Sequence, residues 1–141
     1  MQRNRNARAF TLVEVLIVVI VLGILAAIVV PQFSTASDDA NLSALKSNLQ
    51  TIRAQLELYK IQHNGSYPTV ANFVTQMTAG TDVAGAAGSD FGPYLLTIPA
   101  NPFSGENAVT NTATPAATLG WYYNESTGEF RANDSAAHKL L

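Results

Sequence analysis

The chain has 141 residues, 48% of them hydrophobic, with 8 basic and 10 acidic side chains and a formal net charge of -2. That length holds one modest domain, and so weak a basic field argues against a nucleic-acid partner. With no cysteine, disulfide frameworks, thiolate metal sites and cysteine nucleophiles are excluded, so any part outside the cytoplasm must be held by packing or a bound ion.

The hydrophobicity is concentrated near one end. Residues 10–30 carry 18 apolar residues in 21, whereas residues 31–141 carry 46 in 111. At about 1.5 Å per residue the first stretch makes a helix of about 31 Å, the hydrocarbon thickness of a bilayer. Arg3, Arg5 and Arg8 precede it and Asp38 and Asp39 follow it, an asymmetry that keeps the N-terminus cytoplasmic and residues 31–141 on the far side. A basic leader before an apolar run is also the pattern of a secretory signal peptide. Its small-residue cleavage site should follow the run, but here Ile28, Val29 and Val30 continue it beyond Ala26 and Ala27. Glu14 sets the stretch apart from a plain anchor. A carboxylate at a transmembrane helix centre costs about 2.5–3.5 kcal/mol on insertion scales, less near the interface. No basic residue follows it until Lys46. Glu14 therefore either sits solvated at headgroup level or has a partner.

The segment Ala9-Phe10-Thr11-Leu12-Val13-Glu14, with the apolar run behind it, Gly23 within it and Pro31 ending it, resembles the N-terminus of type IV pilins and type II secretion pseudopilins. The resemblance implies that a membrane-embedded prepilin peptidase cuts between Ala9 and Phe10 and N-methylates the new amine of Phe10. Where that family most often has Gly before the cut, this chain has Ala9, which is small enough to fit. It also implies that Glu14 of one subunit neutralises the Phe10 amine of a neighbour during filament assembly. Gly23 and Pro31 would then bracket a weak stretch of helix that unwinds in related filaments; the simpler reading of Gly23 is close helix packing in the bilayer. Removing residues 1–9 would leave 5 basic against 10 acidic side chains.

Beyond Pro31, Leu42, Leu45, Leu49, Ile52, Leu56 and Tyr59 recur at steps of three and four, with Lys46, Arg53, Glu57 and Lys60 on other faces. This predicts one long helix from about Phe10 to His63, capped by Asn64-Gly65, whose second half is amphipathic. After a turn at Tyr67-Pro68-Thr69, residues 70–77 read as a short helix and residues 80–88 as a Gly-rich loop. The stretches 64–69 and 92–103 look like the corresponding parts of the major pseudopilin. Residues 119–124 and 129–132 flank Glu125-Ser126-Thr127-Gly128 and read as a hairpin with Trp121 and Tyr123 on one face. Residues 107–118, nearly free of large apolar side chains, read as an exposed loop. The expected fold is α+β: a long N-terminal helix, half transmembrane and half amphipathic, packed on a small antiparallel sheet. Its parts are a cleaved leader at 1–9, a membrane and filament-core helix at 10–30, an amphipathic continuation at 31–64 and a periplasmic globular region at 65–141.

Catalytic chemistry is sparse. His63 and His138 lie far apart without the spacing of a triad and read as solvated helix-end and tail residues. The resemblance implies calcium in the C-terminal region. Asp90, Asn101, Glu106, Asn124, Glu125 and Asp134 are scattered oxygen donors without a dense acidic loop, so no ligand is assigned and no cofactor is expected. The reading is thus a non-enzymatic subunit of a type II secretion pseudopilus: an inner-membrane precursor that joins a periplasmic filament driving protein export. Its implied partners are copies of itself, minor pseudopilins or pilins, the peptidase, the inner-membrane assembly platform and the membrane. A type IV pilus subunit forming a surface fibre and a membrane-tethered ligand-binding domain are the alternatives, and a membrane-anchored hydrolase would need a constellation the chain lacks.

Overall fold

A computed structural model describes residues 10–141. The chain divides into two compact units, Met1–Asp39 and Ala40–Leu141. Helix α1, Leu12–Gln62, contributes its first part to one and its last part to the other. The remaining elements are α2 (Phe73–Thr78), β1 (Val109–Thr110), β2 (Trp121–Tyr123), β3 (Phe130–Ala132) and a closing 3-10 turn, His138–Leu140.

In the first unit, the large apolar side chains of α1 between Leu12 and Val29 are exposed among the described residues, from Leu12 at 82% to Val29 at 42%. The stretch Leu12–Val29 is long and apolar enough to cross a membrane, and the described residues bury none of it. Helical hydrogen bonding is assigned without a break through Gly23 and Pro31. Pro31 has no N–H to offer the carbonyl four residues back, so the ladder lacks one bond there.

In the second unit, the three-four spacing of Leu45, Leu49, Ile52, Leu56 and Tyr59 puts all five on one face of α1, where each is at most 2% exposed. Against them pack Phe73 and Met77 of α2, Tyr94, Ile98 and the inward residues Trp121, Tyr123, Phe130 and Ala132 of the sheet. Phe73 lies 4.6 Å from the Tyr123 ring and 5.7 Å from Phe130, centroid to centroid. The polar ends of these rings are satisfied: the Trp121 indole N–H donates to the Pro99 carbonyl and the Tyr123 hydroxyl to that of Pro68. Arg53 fastens helix to sheet, donating Nε to the Phe130 carbonyl and Nη1 to the Leu141 carbonyl, both at 2.9 Å. The helix ends where Asn64 and Gly65 take positive φ of 55° and 85°, and the Gly65 N–H reaches the Lys60 carbonyl at 2.8 Å.

The α+β architecture is as expected, but the sheet is mixed. β2 and β3 form the antiparallel hairpin, with Trp121 opposite Ala132 and Tyr123 opposite Phe130. β1 pairs parallel to β2, Val109 with Trp121 and Thr110 with Tyr122. Parallel pairing requires a crossover, and residues 111–120 supply it without a helix. The segment 107–118 is largely exposed, as expected, but it is not a free loop. It contains β1 and then crosses the second face of the sheet, held by backbone contacts: Asn133 Nδ2 donates to the Thr112 carbonyl, Arg131 Nη2 to that of Ala113, and the Ala116 N–H to that of Asn133. Tyr122 and Arg131, the outward residues of the hairpin, are consequently buried, with the guanidinium 3.9 Å from the Tyr122 ring centroid.

The histidines also depart from expectation. His63 is 2% exposed and stacked on Tyr59 at 3.7 Å. Its Nδ1 lies 2.8 Å from the Tyr59 carbonyl and its Nε2 3.0 Å from the Thr81 hydroxyl. A carbonyl can only accept, so Nδ1 carries a proton. The loop around Thr81 covers the end of α1, which is why a polar residue at a helix end is buried. His138 is half-buried, bonded to Asp134 and packed on Phe103.

Candidate functional site

The first turn of α1 is built by Thr11 and Glu14. A helix begins with N–H groups that have no intrahelical acceptor. Here the Thr11 hydroxyl accepts the Glu14 N–H at 3.2 Å, while Glu14 Oε2 accepts the Thr11 N–H and hydroxyl, each at 2.9 Å. This is a reciprocal capping box, Thr-x-x-Glu, directly ahead of the apolar run. The Glu14 carboxylate is thereby turned back toward the N-terminal end, where the helix dipole favours negative charge. Among the described residues its hydrogen bonds all fall on Oε2, which leaves Oε1 for another group.

Of the residues singled out from the sequence, Ala9 lies outside the described residues. Phe10 is 85% exposed and immediately precedes Thr11. Phe10 and Glu14 thus share the helix start, whereas Gly23 and Pro31 follow along α1 at about 13 and 25 Å from Glu14 by helical rise. A Cβ added at Gly23 would meet nothing within 4 Å among the described residues. Thr11 was not among the expected site residues. The signal that identifies it is the Thr-x-x-Glu spacing itself.

His63 and Thr81 have base-to-hydroxyl geometry, but each is 2% exposed and closed to a substrate. Tyr123, Tyr59 and Tyr94 are all pushed above the usual phenol range, chiefly by burial. Lys60 is shifted upward by its bond to the Tyr67 hydroxyl, which in turn donates to Glu57. Among the described residues no three His, Cys, Asp or Glu side chains converge as metal ligands would. Asn124 Oδ1 accepts the Ser126 N–H and Glu125 Oε2 the Val70 N–H; of the six candidate donors, Asn101 and Asp134 bond each other through their side chains.

A family profile described as Prokaryotic N-terminal methylation motif matches residues 4–30, and one described as Type II secretion system (T2SS), protein G matches residues 32–119. The chain is similar to Type II secretion system core protein G of Pseudomonas aeruginosa, 45% identical over 69 residues, which is 49% of this chain and 47% of that one. Proteins of the same name from Klebsiella michiganensis and Escherichia coli are 29% identical over 107 residues and 28% identical over 112. Those alignments cover 74% and 79% of this chain and 73% and 77% of the relatives. The chain therefore spans about half the length of the Pseudomonas relative and about three quarters of the other two. No solved structure matches.

Proposed function

The chain belongs to the type II secretion system protein G family, and on that premise we propose that it is a structural subunit that packs with copies of itself, through the apolar part of α1, into a periplasmic filament driving protein export. The observation that carries this reading is the stretch Leu12–Val29, which the other described residues leave uncovered. Each Leu, Ile or Val side chain buried from water stabilises by about 1.5–3 kcal/mol, so the stretch is satisfied only in lipid or against other copies. The protein G match favours a secretion pseudopilus over a surface fibre.

In this reading the precursor spans the inner membrane with residues 1–9 in the cytoplasm. A prepilin peptidase cuts between Ala9 and Phe10 and methylates the Phe10 amine. The methylation-motif match over residues 4–30 supports both steps. Lipid satisfies apolar side chains as well as another helix does, so hydrophobicity alone cannot set the stagger between subunits. A charge pair can. The new amine is a cation at the helix start, and Glu14 of a neighbour, with Oε1 available, neutralises it. Leaving one buried charge of such a pair alone costs about 3–5 kcal/mol. One stagger between neighbours is thereby favoured, and the unpartnered surface at Gly23 allows helices to approach. A platform protein in the inner membrane and minor pseudopilins complete the assembly.

The test is Glu14→Val in a strain carrying the secretion system. Membrane insertion and cleavage should persist, while filament yield and export fall at least tenfold. Wild-type filament yield from this variant would sink the proposal.

A further inference from the structure

Asp134 is a nearly buried carboxylate with both oxygens taken by nitrogen donors of its own chain. Asn101 Nδ2 donates to Oδ1 at 2.7 Å and His138 Nδ1 to Oδ2 at 2.5 Å. The Asn101 amide is fully buried and its orientation is fixed, because Nδ2 also donates to the Gly120 carbonyl at 3.0 Å and Oδ1 accepts the Phe103 N–H at 2.9 Å. Around it the 101–106 loop closes on itself through the bonds Asn101 N–H to Glu106 carbonyl and Gly105 N–H to Asn101 carbonyl, both 2.8 Å. The His138 ring packs on Phe103 of that loop at 4.1 Å, and its backbone N–H is held by the Ser135 hydroxyl. The loop and the tail therefore meet at one carboxylate, and the Asn101 amide ties in Gly120, just ahead of β2.

Calcium, which the family resemblance implies for this region, takes six to eight oxygen ligands. The residues present do not fit it. A cation beside Asp134 would face the Asn101 amide hydrogens and the His138 ring N–H, and the Asn101 oxygen is already occupied. The tail also lies beyond residue 119, where the protein G match ends.

We infer that Asn101, Asp134 and His138 form a metal-free latch that ties the tail to the 101–106 loop, so that this subunit folds and stays folded without calcium. The test is thermal unfolding of the full chain in detergent micelles, followed by fluorescence of the buried Trp121. The melting temperature should be the same in excess chelator and in excess calcium chloride. Asp134→Asn and His138→Gln should each lower it by about 5 °C, and the double variant should melt no lower than the worse single one, as coupled partners do. Nitrogen NMR of His138 should report a protonated Nδ1 in wild type that changes in Asp134→Asn. If Asp134→Asn does not fold, His138→Gln at the half-exposed edge supplies the same reading. A rise in melting temperature with calcium that Asp134→Asn removes would overturn the latch, as would single variants that melt like wild type or effects that simply add.

Discussion

Thr11 gives Glu14 a role within its own chain. A lone carboxylate near the head of a membrane helix is costly, but here it accepts two hydrogen bonds from Thr11 and lies at the positive end of the helix dipole. The same two residues decide where α1 begins. Replacing Thr11 with Val removes the hydroxyl that accepts the Glu14 N–H, and losing such a cap costs about 1 kcal/mol. Hydrogen exchange on the full chain in micelles should show the Glu14 and Val15 amides exchanging about fivefold faster in Thr11→Val, with the later turns unchanged. Equal exchange in both proteins would mean that the box does not define the helix start. Glu14 stood out in the sequence through its charge within an apolar run and through the motif it closes. Its local partner was also legible, because Thr-x-x-Glu is a short-range pattern. His63 was not, since its burial depends on the loop at Thr81, which returns to it from 18 residues away.

Elements held by side-chain periodicity were the readable ones. The apolar stripe from Leu45 to Tyr59 repeats on a helical period, and its buried face follows from that spacing. The hairpin was readable from its turn. Gly128 has φ of 75° there and closes the loop through its N–H to the Asn124 carbonyl. The 107–118 segment escaped because its anchoring uses backbone carbonyls and small residues, which leave no apolar pattern; β1 within it is only two residues long. The expected antiparallel pairing holds for β2 and β3 and not for β1. Gly128 also carries the Tyr67 ring, so a Cβ there would overlap that ring as well as strain a positive φ. Gly128→Ala should lower the unfolding free energy by about 2 kcal/mol, read as a lower denaturant midpoint of the full chain in micelles. An unchanged midpoint would mean that the turn and the Tyr67 contact yield freely.

For the molecule as a whole, the mild average composition conceals two chemistries: an apolar stretch that needs lipid or copies of itself, and a unit with its own aromatic core. That core makes stability depend on alkaline pH. Tyr123, Tyr59 and Tyr94 hold their protons more tightly when folded, mainly because burial disfavours the phenolate. An unfolded tyrosine loses its proton near pH 10. The stabilisation is therefore complete below about pH 10 and is lost as pH rises through the higher folded values. The melting temperature of the full chain should be level between neutrality and about pH 9 and fall above about pH 10. Tyr123→Phe should fall less steeply; an equal slope would remove Tyr123 from this account.

In the proposed filament, the exposed part of α1 forms the packing surface and Glu14 sets the stagger. Cryo-electron microscopy of filaments assembled from the full chain tests it most directly. The account predicts Leu12–Val29 packed at the filament axis, a chain beginning at a methylated Phe10, and the Glu14 carboxylate of one copy against the Phe10 amine of another. Filaments joined only through the Ala40–Leu141 units, or Glu14 with no amine beside it, would contradict it.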